Sequence, residues 1–237
     1  MQSCDTFEQL MSVCYGVHEA MPALNIDEIC NVRLTKDAKC EVTVHEIAED
    51  CPILNPYPIR SSPDLSCFAH AASRICYGNE YNHIEMRCRI VVEGVTHDKH
   101  YKQENILASG MAAPPTSKIK DLYANLSGAY DWQNTKEDVD LVYNRDIFDY
   151  RKPNAEASQW QMHQFASVLG CSIYSLYPSF PAQAAGVRGH VGMREAYNRI
   201  ITPRQSMQVS GNPYAAIQWT MSTPSLNIPN HFVAVVP

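Results

Sequence analysis

The sequence predicts an α+β fold, with helices mostly early in the chain and a mainly antiparallel sheet late. Three observations carry this expectation. Apolar residues recur at three- and four-residue spacing over 7–18, 67–76, 84–106 and 158–169. Short runs rich in Val, Ile and aromatic residues, bounded by Pro, Gly and Asn, fill 171–177, 197–201, 215–221 and 231–236. Finally, 237 residues at 45% hydrophobic and 19% charged can bury a full core without disulfide or metal staples.

In chain order, Thr6 or Asp5 caps an amphipathic helix that turns Phe7, Leu10, Met11, Cys14 and Val17 or His18 to one side. Residues 40–47 alternate apolar and polar as a strand does. The prolines of Cys51–Pro58 and of Ser61–Pro63 argue against helix and central strand, so this stretch is expected to be a loop that delivers the chain to Asp64. A helix over 67–76 carries Phe68, Ala71, Ala72 and Ile75. A longer one from Ile84 to Ile106 carries Met86, Ile90, Val91 and Val95. Pro114-Pro115 breaks the pattern, and 118–129 and 135–150 are further helix candidates. The acids between 131 and 149 are expected on a solvated face. Ser158 opens a helix with Trp160, Phe165, Val168 and Leu169 inward and Gly170 as its stop, and a strand over 171–177 follows, ended by Pro178. Residues 179–193 are expected to be loop, and the last three strands to be joined by hairpin-length connections. No internal repeat or low-complexity tract is present.

Charge narrows the function classes. The formal net charge is −6, whereas phosphate binding needs clustered Lys and Arg, so a nucleic-acid surface is not expected. No run of 18 apolar residues occurs, and the first twenty residues hold Asp5, Glu8 and Glu19 with no basic stretch before an apolar one. No membrane span or secretory signal is therefore expected, and the location expected is intracellular, cytoplasmic or nuclear. Without a secretory signal the nine cysteines are expected to be reduced thiols, and the lack of any C-x-x-C pair argues against a zinc module; no metal is expected. His97-x-x-His100, the nearest thing to a metal pair, is read as a solvated polar helix face.

A cysteine is a nucleophile near neutral pH only when its thiolate is stabilised, and a helix N-terminus supplies N–H groups and a dipole for that purpose. Cys67 has this context, and the preceding Asp64-Leu65-Ser66 loop can aim backbone N–H groups at a developing oxyanion. The alternative for Cys67 is a buried helix-start thiol. Cys76, Cys88 and Cys171 lie inside periodic segments and read as buried hydrophobes. A thiol nucleophile also needs an imidazole. His231, entering the last strand after Pro229-Asn230, is the best placed of nine histidines, its alternative being a surface strand-start residue.

Asp64-Leu-Ser-Cys67-Phe68, then His83-Ile-Glu-Met-Arg87, then a Trp160-led helix running into a strand, and finally Asn230-His231-Phe232 resemble in order and spacing the ovarian-tumour (OTU) family of cysteine peptidases. Arg87–Glu93, Phe165–Pro178 and Tyr197–Arg204 are similar to its vertnin branch. The resemblance covers roughly residues 50–237. It implies an OTU-like, papain-type fold, with residues 1–50 as an N-terminal extension and 51–237 as the catalytic domain. It also implies a deubiquitinase without cofactor, whose partner is ubiquitin or polyubiquitin. In that reading Cys67 attacks, His231 is the base, Leu65 and Ser66 lend backbone N–H groups to the oxyanion, and Asp64 or Asn230 is the third member. The loop departs from the family's D-G-N-C by lacking its glycine, and Val233 stands where an acceptor two residues after the histidine is frequent. Two rival readings stand beside this one: a catalytically silent ubiquitin- or protein-binding module of a larger DNA-associated or transposon-derived protein, and an unrelated thiol hydrolase.

Overall fold

The computed structural model describes residues 1–22, 24, 53, 56–109, 138–177, 194, 197–205, 215–220 and 231–236. The expected strand at 40–47 and helix at 118–129 lie outside these.

Local capping starts the helices where the sequence places them. Helix α1 (Phe7–His18) begins at Thr6, whose side chain accepts the Gln9 N–H, while Gln9 Oε1 accepts the Asp5 N–H at 2.7 Å. Its inward residues are Leu10 and Cys14, and it packs on α3 (His83–Thr96) and α6 (Val139–Tyr150). Helix α2 spans Cys67–Tyr77. Helix α7 (Gln159–Leu169) opens with a capping box between Ser158 and Gln161 and stops at Gly170, φ 71°, a left-handed position that costs glycine nothing.

The acidic run is not simply a solvated face. Asp146 is buried and accepts from Ser158 Oγ at 3.0 Å and Gln161 Nε2 at 2.7 Å, tying α6 to the cap of α7. Asp138 caps α6. The single helix expected over 84–106 is also broken. It ends with His97 as C-cap, and two short helices follow, α4 (Asp98–Tyr101) and α5 (Glu104–Leu107). The bend turns Tyr101 inward, where its hydroxyl donates to Glu93 Oε1 at 2.6 Å and lies 2.7 Å from Ser167 Oγ. Those bonds satisfy a phenol that would otherwise be stranded in the core. His97, expected on a solvated face, instead sets its Nδ1 3.2 Å from Glu93 Oε2.

At Gly94, α3 passes close to its neighbours. An added Cβ would stand 2.8 Å from the Gln164 amide and 3.0 Å from Ile147 Cδ1, and the Gly94 carbonyl accepts from Tyr143 Oη. Gly94→Ala is therefore expected to cost about 1–3 kcal/mol, read as a lower denaturation midpoint at unchanged m-value. A midpoint equal to wild type would show that the three helices can move apart freely.

The sheet runs β1-β5-β4-β2-β3, with β1 Tyr57–Ile59, β2 Ile173–Leu176, β3 Arg199–Ile201, β4 Ala215–Thr220 and β5 His231–Val236. Among the described strands only β2–β4 is parallel; the other three pairings are antiparallel. Two expectations are corrected here. Residues 57–59 form a strand rather than a loop, and Pro58 is tolerated because β1 is an edge strand. The last three strands are not a run of hairpins, because β2 lies between β3 and β4.

Strand alternation gives the sheet two faces. One carries Ala215, Ile217, Trp219, Phe232, Ala234 and Val236 into the main core, where Phe68 of α2 meets Phe232 and Phe165 edge-on at 5.2 and 6.0 Å. The other carries Tyr174, Leu176, Ala216 and Val235 with Ile53.

Candidate active site

Cys67 is the first residue of α2, and its position is set by how the preceding loop is fastened. The Cys67 N–H donates to the Asp64 carbonyl at 3.1 Å, and the Ser66 N–H to Asp64 Oδ1 at 2.7 Å, which closes a tight turn just before the helix. Ser66 is the N-cap but makes no side-chain cap bond. Its hydroxyl instead accepts from Arg87 Nη2 at 3.1 Å. The buried Arg87 donates through Nη1 to the carbonyls of Tyr150 at 2.7 Å and Ala155 at 3.1 Å, with its guanidinium 4.3 Å from the centre of the Tyr150 ring. One side chain thus locks the residue before Cys67 to the end of α6.

A second fastening lies upstream. Glu80 accepts the Ser62 N–H at 2.9 Å, the Ser62 hydroxyl at 2.7 Å and Arg74 Nε at 3.1 Å. Burial raises the Glu80 pKa, but the Ser62 bonds, Arg74 and His70 outweigh it and hold the carboxyl below its ordinary range. His70, one turn after Cys67, sets its Nε2 3.2 Å from Asp64 Oδ2 and stacks on His83 at 4.2 Å. Sequence reasoning did not single out Glu80 or His70, and it saw Arg87 only as part of a motif. A charged residue on an otherwise apolar helix face was the available signal.

The thiol differs from expectation. Cys67 is only 4% exposed, and burial pushes its pKa up to about 11. The backbone N–H groups of Phe232 and Phe68 favour the thiolate without overcoming that burial, and Asp64 and Glu156 add to the rise. The helix N-terminus alone therefore does not activate this cysteine in the resting state, and a base must take its proton. Alkylation of Cys67 by iodoacetamide at pH 7 is expected to run about 100-fold slower than that of a free cysteine, since thiolate is the reacting form. Peptide mapping after timed labelling measures it. A rate matching free cysteine would mean that the thiol is ionised after all.

His231 opens β5, is buried, and stands opposite Thr220. The Phe232 N–H that favours the thiolate belongs to the peptide bond between His231 and Phe232, so the start of β5 meets the start of α2 at the sulfur. Phe232 turns into the core, 4.5 Å from the Trp219 ring, and alternation turns His231 and Val233 to the opposite face. Asp64 is held by Ser66 and His70, Leu65 is about half exposed, Ser66 is buried, and Asn230 lies outside the described residues. The described residues include no group of three or more His, Cys, Asp or Glu side chains that could hold a metal ion, and no helix long and apolar enough to cross a membrane.

Residues 58–220, more than half of the chain, match the family described as "Vertnin, OTU domain". Among curated relatives, mouse (Mus musculus) Vertnin is 26% identical over 166 residues, 68% of this chain and 20% of its own length. Human (Homo sapiens) Vertnin is 24% identical over 191 residues, 79% of this chain and 23% of its own. The chain thus spans about a fifth of the length of these relatives. Among solved structures, the OTU domain of OTUD1 is 16% identical with a TM-score of 0.44, over 84% of this chain and 96% of that one. The viral OTU domain protease from Farallon virus is 12% identical with a TM-score of 0.41, over 76% and 83%. With a family match across the elements that hold Cys67, Arg87 and the Trp160 helix, the chain belongs to the vertnin OTU-domain family.

Proposed function

We propose that this domain is a thiol-dependent deubiquitinase that hydrolyses the peptide or isopeptide bond after the C-terminal glycine of ubiquitin, alone or in chains, inside the cell and without a cofactor. The observation that carries the reading is the meeting of Cys67, at a helix start on a doubly fastened loop, with the peptide bond that follows His231. His231 takes the thiol proton as the sulfur attacks the glycine carbonyl carbon, then passes it to the departing lysine amine, leaving a thioester. Water, deprotonated by His231, attacks the thioester carbonyl. The carboxylate leaves and the thiol regains its proton.

The backbone N–H groups of Leu65 and Ser66 are the oxyanion donors in this scheme. The Ser66 N–H is held by Asp64 Oδ1 at rest, so it must change partner as negative charge develops on the substrate oxygen. Asp64 therefore works as the turn's clasp, and its other oxygen answers to His70. Residues 51–237 form the catalytic domain in this proposal, with residues 1–50 as an extension whose α1 packs on α3 and α6.

The rival reading, a silent ubiquitin- or protein-binding module of a larger protein, draws support from the deep burial and raised pKa of Cys67. Incubation with ubiquitin carrying a C-terminal electrophile separates the readings. A covalent adduct on Cys67 supports the hydrolase, and binding without an adduct supports the module. If ubiquitin neither reacts nor binds, the reading that remains is a thiol hydrolase for another ester or peptide.

A further inference from the structure

Two cations at the foot of the Cys67 loop are matched by a single acid. A surface cavity of about 270 Å³ opens between the segment that follows β1 and the last turn of α2, lined by Arg60, Ser61, Ser62, Pro63 and Arg74. Two guanidinium groups share it, and no carboxylate is among its lining residues, in a chain whose net charge is −6. Arg60 is exposed and makes no hydrogen bond or ion pair with a described residue. Arg74 gives its Nε to Glu80 Oε1 at 3.1 Å, which leaves both of its terminal nitrogens without a described partner. Glu80 also accepts the Ser62 N–H and hydroxyl, so it neutralises one guanidinium and has no oxygen to spare for the other.

A second anomaly lies at the same cavity. Ser61 is 4% exposed, and its hydroxyl is buried without a hydrogen-bond partner. A buried hydroxyl left unbonded is costly, and an alanine would fill the space without that cost. An unbonded hydroxyl beside two guanidinium groups has one chemistry in common with them, since all are donors to an oxyanion. Arg60 and Arg74 come from different segments, and each guanidinium can serve two oxygens in its own plane. Donors supplied from separate segments suit a tetrahedral oxyanion better than a flat carboxylate. The negative charge of the chain as a whole disfavours a polyanion, which leaves a single phosphoryl group as the fitting ligand.

We propose that this cavity binds a phosphate monoester dianion, held by Arg60 and the terminal nitrogens of Arg74, with the Ser61 hydroxyl as a third donor. The site is independent of the thiol chemistry at Cys67 and stands whether or not ubiquitin is the substrate. Arg74 keeps its Nε on Glu80 while its other nitrogens meet the ligand, so the Ser62–Glu80 fastening of the loop stays in place when the site fills. The ligand is defined by its phosphoryl group, carried either on a phosphorylated side chain of a protein or as free phosphate.

The test uses the full chain with Arg60→Gln and Ser61→Ala, two positions that take no part in fastening the loop. Isothermal titration is run with inorganic phosphate and with N-acetyl-phosphoserine amide, at an ionic strength held constant with sodium chloride so that screening is the same in every sample. Thermal unfolding in chloride alone reports the fold. The wild-type chain is expected to bind at least one probe saturably. Arg60→Gln should weaken that binding about tenfold or more at unchanged Tm, and Ser61→Ala about three- to tenfold at an unchanged or higher Tm. Tighter binding of the phosphoserine probe assigns the site to a phosphorylated side chain, and equal or tighter binding of inorganic phosphate assigns it to the free ion. Absence of saturable binding of both probes by the wild-type chain overturns the proposal, as does a wild-type affinity in either folded variant.

Discussion

Cys67→Ala is expected to abolish capture by the ubiquitin electrophile and to lower hydrolysis at least about 10³-fold, with the fold intact. In the proposed mechanism the loss is large because the Cys67 sulfur forms the bond, and no other described cysteine shares its neighbours. Cys76 and Cys171 are separated from the fastened loop, Cys76 near the end of α2 and Cys171 between α7 and β2. The fold holds because the change removes one small atom from a helix start whose packing is led by Phe68, a loss of about 1 kcal/mol or less. His231→Ala should give a similar deficit, and the double variant should fall no further, since the two act as a unit. Activity surviving Cys67→Ala but lost in Cys76→Ala or Cys171→Ala would move the nucleophile elsewhere.

Arg87→Ala is expected to carry the largest stability cost among the site residues, about 3 kcal/mol or more, together with most of the activity. Its guanidinium serves three acceptors at once, the Ser66 hydroxyl and the carbonyls of Tyr150 and Ala155. Hydrogen bonds from a charged donor contribute about 1.5–3 kcal/mol each, and buried carbonyls left unpaired add a penalty. For a chain of this size the fall in Tm would be roughly 6–12 °C. Arg87→Lys should not rescue it, because one ammonium cannot reproduce the planar fork toward the Tyr150 and Ala155 carbonyls and a hydroxyl. Assay at a temperature where the variant is still folded separates the two effects. Turnover near wild type there would show that the Ser66 turn holds Cys67 in place without Arg87.

Cys67 stood out as a candidate nucleophile because its signals are local. A proline-broken loop, an Asp three residues before a cysteine and an apolar periodicity starting at that cysteine all lie within a dozen residues. Helices α1, α2 and α7 were legible for the same reason, since Thr6, Ser158 and Gly170 act within one turn of themselves. Strand β5 stood out as a short apolar run after a turn.

Other features depend on partners distant in sequence. Pro58 suits only an edge strand, and β1 is at the edge because β5, at the other end of the chain, takes it as a neighbour. Tyr101 breaks the expected long helix because Glu93 and Ser167 offer its hydroxyl buried partners. Asp146 reads as one acid in a solvated run until Ser158 and Gln161 close over it. The thiol pKa of Cys67 was inferred from the helix start, yet burial under the surrounding structure outweighs it.

By itself, then, the sequence determined the α+β class, the principal helices and the pairing of Cys67 with His231 as candidates, since capping, periodicity and turn chemistry act over a few residues. Tertiary structure alone decided the parallel β2–β4 contact, the clasp of Arg87 on Ser66 and the burial that raises the Cys67 thiol pKa. Desolvation and strand register are properties of whatever lies on the other side of a contact, and the local sequence does not name it.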